Sequence, residues 1–101
     1  MIEKKNFYIN GNWVTPSTIN DFDVINPSNE EVFATISLGS KEDTNAAVKA
    51  AKKAFETWKD TSIEERILLL EKLLDVYKKR FDDMANAISM EMGAPMDWST
   101  D

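Results

Sequence analysis

The sequence has no cysteine and no histidine, and only three glycines and three prolines. Lacking cysteine, it has neither a thiol nucleophile nor a disulfide. Lacking histidine, it has no imidazole base, and the His/Cys sets that hold zinc are excluded. Gly11, Gly39 and Gly93 are scattered, so no glycine-rich loop is available to cradle a phosphate. No apolar run approaches the roughly 20 residues needed to span a bilayer. Met1-Ile2-Glu3-Lys4-Lys5 leads into a polar, strand-like segment rather than an apolar leader. These absences leave the chain poorly equipped for catalysis, and the expectations are a cytoplasmic location and no membrane partner.

What is present describes one small globular domain. The chain has 101 residues, 43% of them hydrophobic and 30% charged, enough for a modest core. Its net charge of −6 is unevenly spread: residues 82–101 carry five acids and no base, whereas residues 41–81 are close to balanced. An acidic chain is repelled by phosphate backbones, so no nucleic-acid partner is expected.

Residues 1–39 read as a β-hairpin region and residues 40–101 as a helical region of the same partial domain. Phe7-Tyr8-Ile9 and Trp13-Val14 flank Asn10-Gly11, a pair that accepts the positive φ of a two-residue hairpin turn. Pro16 then stops the ladder. Phe22 and Val24, then Val32, Ala34, Ile36 and Leu38, alternate with polar residues across the turn Asn26-Pro27-Ser28-Asn29-Glu30. This predicts a second hairpin, residues 20–26 with 31–37. Ser40 three residues before Asp43 is a capping-box start, and the helix it opens runs to about Trp58 with an alanine-rich face. Ser62 and Glu65 form a second such signature. Beyond it Ile63, Ile67, Leu70, Leu74, Tyr77, Phe81, Met84 and Ile88 are spaced alternately four and three apart. That stretch is one helix or two, with a joint near Arg80–Asp83. Gly93 and Pro95 end it. The fold class expected is α+β: two β-hairpins followed by two or three antiparallel helices.

Catalytic candidates are sparse. Glu30-Glu31, Glu64-Glu65 and Asp82-Asp83 invite an acid/base reading, but adjacent helical residues point about 100° apart and do not converge. They read as solvated surface. No EF-hand spacing is present. The aromatic residues follow strand and helix faces and read as core, except Trp98, which stands with Met96 in a short tail after the helix stop.

Several segments together carry a resemblance. Tyr8-Ile9-Asn10-Gly11-Asn12-Trp13-Val14 resembles the opening hairpin of the NAD(P)-dependent aldehyde dehydrogenase family. Val24-Ile25-Asn26-Pro27-Ser28-Asn29-Glu30-Glu31-Val32 resembles its strand–turn segment, where the family often has Thr-Gly at the positions of Asn29-Glu30. Residues 47–58 are similar to its first helix, and Arg66 with Leu69-Leu70, then Glu91-Met92-Gly93-Ala94-Pro95, to its next helices and their terminating loop. The resemblance spans nearly all of this chain but about the first fifth of a family member. It implies a piece of the α/β cofactor-binding domain, with NAD or NADP serving the parent enzyme, which oxidises an aldehyde to a carboxylic acid through a cysteine nucleophile. The expected partners are the remainder of that chain and further copies in a homo-oligomer. No catalytic or cofactor-binding residue falls within these 101 positions, and none of those cofactors is expected to bind this chain alone. What the resemblance does carry over is a monovalent cation held by main-chain carbonyls, at Val24, Ile25 and Glu91. The rival expectation is a non-catalytic helical module that self-associates through its Leu/Ile stripe.

Overall fold

Asn10 and Gly11 both adopt positive φ, 54° and 78°, and so close the first hairpin with the twist that two-residue turns need. The computed structural model describes all of residues 1–101. Its elements run β1 (Ile2–Lys4), β2 (Phe7–Ile9), β3 (Asn12–Val14), β4 (Asp21–Asn26), β5 (Glu31–Ser37), α1 (Lys41–Trp58), α2 (Ile63–Lys79), α3 (Phe81–Met92) and α4 (Met96–Ser99). Both hairpins and the helices after them stand where the patterning put them.

Strands β2 and β3 pair antiparallel, Phe7 with Val14, Tyr8 with Trp13 and Ile9 with Asn12. Alternation then sorts the side chains: Phe7, Ile9 and Val14 are half-buried while Tyr8 and Trp13 are exposed. The two exposed rings meet edge to face at 5.1 Å. Helix α1 lies against β2.

In the second hairpin, Asn26 O accepts the Glu30 N–H at 2.8 Å, while the Asn26 and Asn29 side chains accept the N–H groups of Ser28 and Glu31. Strand β1, which the sequence did not announce, runs parallel to β5 with Ile2 beside Ala34, giving the order β1-β5-β4. Its three residues are too few to show a period, and their partner lies more than thirty positions away.

Helix α1 opens with the complete capping box at Ser40 and Asp43. At α2 the Ser62 hydroxyl accepts the Glu65 N–H. The open question of one long helix or two resolves as two. Arg80 leaves helical geometry at φ −109°, ψ 18°, yet its N–H still reaches the Val76 and Tyr77 carbonyls, and its guanidinium pairs with Asp83 at 3.2 Å across the joint. Gly93 ends α3 in the left-handed region at φ 72°. The residues after it form the single turn α4 rather than an irregular tail, because Pro95 accepts the Trp98 and Ser99 N–H groups and starts a new turn.

The chain divides into two units: Met1–Ile25 with Val32–Asp60, and Asn26–Glu31 with Thr61–Asp101. Each has little core. Ala34 is the buried apolar residue of the first and Ala85 that of the second, and no large side chain is fully enclosed.

Candidate functional site

The most connected polar group in the first unit surrounds Asp43. One carboxylate oxygen accepts the Ser17 N–H at 3.0 Å; the other accepts the Ser40 N–H and hydroxyl, both at 3.1 Å. The Ser17 and Ser40 hydroxyls are 2.7 Å apart. The backbone amides of Ser40, then of Ser17, hold the Asp43 carboxyl below its ordinary value. This carboxylate is committed to amides inside its own unit, so it ties the segment after β3 to the start of α1.

A second tie joins Lys5 to Asp21 at 3.1 Å, with Glu3 at 3.9 Å. The hydrogen bond to Asp21 and its charge, then the charge of Glu3, raise the Lys5 ammonium above its ordinary value. Both groups are surface pairs and modest in energy. The three acidic doublets are exposed, and nowhere do three acidic side chains gather closely enough to hold a metal ion.

Beside Asp43 lies a hollow of about 570 Å³ whose walls include Asn10, Asn12, Ser17, Lys49 and Lys53. Its polar groups are of mixed sign, and its Ser17 hydroxyl stands beside the Asp43 carboxylate with no imidazole in the chain. Gly11 serves a hairpin turn and Gly93 a helix end, while Gly39 is the single glycine between β5 and α1.

Of the residues singled out for a cation, Val24 and Ile25 lie in β4, the outer strand of its sheet, and Glu91 lies in the last turn of α3. The first two belong to one unit and Glu91 to the other. In an outer strand alternate carbonyls face the ladder, so of the adjacent Val24 and Ile25 only one can lack a ladder partner. Within the second unit Gly93 packs on the hairpin turn, where a Cβ would stand 3.2 Å from Pro27 Cγ.

Sequence reasoning missed the Ser17 and Lys5 ties. Each joins residues at least 16 positions apart through a common polar pair, and no local pattern marks such a meeting.

Comparison with known proteins gives one answer. The model of the aldehyde dehydrogenase family matches residues 13–101. A 3-succinoylsemialdehyde-pyridine dehydrogenase of a Pseudomonas species is 42% identical over 96 residues, which is 95% of this chain and 20% of that protein. The crystal structure of an aldehyde dehydrogenase from Bartonella henselae superposes with a TM-score of 0.97 at 57% identity, covering 99% of this chain and 21% of its own. Aldehyde dehydrogenase C of Pseudomonas syringae, crystallised as a C291A mutant with NAD+ and octanal, matches at a TM-score of 0.93 and 38% identity, over 95% of this chain and 20% of its own. The chain spans about a fifth of the length of the relatives it matches.

Proposed function

The chain belongs to the aldehyde dehydrogenase family, and from that premise we propose that it is the N-terminal segment of an NAD(P)-dependent enzyme that oxidises an aldehyde to a carboxylic acid. In this reading residues 1–39 and 40–101 are the hairpin and helical regions of one partial cofactor-binding domain. They contribute scaffold and no reacting group. The enzyme is a cytoplasmic homo-oligomer, and the chain alone binds neither NAD nor NADP.

One observation carries the reading: the exposed surface is too large for a self-contained protein. Two fully separate compact domains of half this mass would together expose about 7,000 Å², whereas this chain exposes 8441 Å². Leu69, Leu70, Leu73, Phe55 and Trp98 are among the large side chains left open to solvent. Residues beyond position 101 would cover them.

The carbonyls of Val24, Ile25 and Glu91 are proposed to bind a monovalent cation in the complete enzyme.

Reading the gene past codon 101 tests the proposal. An open frame continuing into a cysteine-containing segment is expected; a stop codon followed by unrelated sequence would contradict it.

A further inference from the structure

Asn10 is the only asparagine of the chain that is followed by glycine. A glycine nitrogen has no Cβ beside it to obstruct an approach, so in this pair the Gly11 nitrogen can reach the Asn10 side-chain amide. The other asparagines are held from that reaction. Asn26 precedes Pro27, which has no N–H to give up. Asn45 and Asn86 lie inside α1 and α3, where the next amide is bound into the helix. The rest precede larger residues that crowd the nitrogen, and Asn29 already accepts the Glu31 N–H at 3.0 Å. In the turn itself, Asn12 donates to the Asn10 main-chain oxygen at 3.4 Å, but no hydrogen bond within the chain occupies the Asn10 side chain or the Gly11 N–H.

We propose that Asn10 is the deamidation site of this protein and that the first hairpin gates the reaction. The Gly11 nitrogen attacks Asn10 Cγ, the side-chain nitrogen leaves as ammonia with the Gly11 proton, and a five-membered succinimide remains. Water adding at Cγ yields aspartate. Water adding at the main-chain carbonyl yields isoaspartate, whose backbone runs through Cβ and Cγ. Either way an amide nitrogen is exchanged for a hydroxyl oxygen. The gate is the turn geometry. Asn10 has φ 54°, and left-handed residues carry ψ of about +47°, which swings the Gly11 nitrogen to the side away from Cβ. Ring closure therefore requires Asn10 to leave the turn conformation, so the reaction proceeds from an opened hairpin. Strands β2 and β3 are short and pair only with each other, an arrangement of marginal stability by itself. Once formed, isoaspartate keeps the hairpin open. A two-residue turn with positive φ at both positions does not accept an added backbone atom, so Ile9 cannot return opposite Asn12 and the Tyr8 and Trp13 rings lose their contact. The inference rests on the turn alone and stands whether or not the chain continues past residue 101.

The test is peptide mapping of the protein from its native source after incubation at mildly alkaline pH. The tryptic segment Asn6–Lys41 is expected to show the first amide-to-acid mass shift, localised to Asn10 by fragmentation. Its isoaspartate should accept a methyl group from S-adenosylmethionine in the presence of an isoaspartyl carboxyl methyltransferase. The excised segment, which has no folded hairpin to open, should react about tenfold faster or more, because in the folded protein only the open fraction is competent. Asn10→Asp keeps a residue pair that the turn favours and should abolish both the early ammonia release and the mass shift. A first shift at another asparagine, equal rates in the folded protein and the excised segment, or ammonia release unchanged in Asn10→Asp would each overturn the proposal. So would a folded protein in which Asn10 never reacts.

Discussion

Glu30 stands in the left-handed region at φ 60°, where a Cβ is strained and glycine is not. This is the position at which the resembling family often has glycine, so the departure falls on the one residue of the turn where it matters. Glu30→Gly is therefore expected to stabilise the protein by about 1 kcal/mol in denaturant titration; unchanged or lower stability would show that the turn has relaxed around the glutamate. Gly93 poses the reverse case. It shares the positive φ of Gly11, but Pro27 stands against Gly93 whereas nothing lies within 4 Å of a Cβ at Gly11. Gly93→Ala should thus cost more than Gly11→Ala, by roughly 1 kcal/mol. Equal costs would mean that Pro27 gives way. Asp43 supplies a pH signature. Its folded value is depressed, so its contribution is present above the ordinary carboxylate value of 3.8 and lost as pH falls through the lower folded value. Asp43→Asn should flatten that acid limb of stability, while Ser40→Ala should cost about 1 kcal/mol at neutral pH through the lost cap. An unchanged acid limb in Asp43→Asn would assign it to other carboxylates.

At the scale of elements, whatever rests on local chemistry was legible in the sequence. Asn10-Gly11, Ser40 with Asp43, and Gly93 before Pro95 mark a turn, a helix start and a helix stop by the backbone angles and bonds they favour, and the structure places all three there. Strand β1 was not legible because its identity lies in pairing with β5 rather than in its own three residues. Helix α4 was not, because one turn is too short to show a period. The joint at Arg80 was legible only as an alternative, since the four-three spacing of apolar residues continues across it from Tyr77 to Phe81 and Met84. Of the candidate site, sequence could point to Val24, Ile25 and Glu91 only by resemblance, because carbonyl ligation leaves no mark on side chains. That same independence makes the proposal testable. Replacing small monovalent cations by a bulky organic cation should lower the melting temperature of the complete enzyme, and Glu91→Gln should not alter that response. A response abolished by Glu91→Gln would point to side-chain ligation instead, and no response at all would remove the site.

At the scale of the whole molecule, the two units meet the expectation of one small core only in part. The helices and strands are well formed by their caps and turns, but the large apolar side chains that would normally fill a core are open to solvent on both units. Local structure of this quality with so little enclosed apolar volume is what a segment looks like when its packing partners lie elsewhere in sequence. It follows that the 101-residue chain should show no binding of NAD or NADP by calorimetry and no aldehyde-dependent reduction of either. Turnover by the isolated chain would require a nucleophile other than cysteine, which the sequence lacks. The central claim, that these residues are the opening scaffold of a longer dehydrogenase, is tested most directly by the intact mass of the protein from its native source. The account predicts a species about five times heavier than 11.5 kDa, as the 20% coverage of its relatives implies, with this sequence at its N-terminus. A mature species of 11.5 kDa would contradict it.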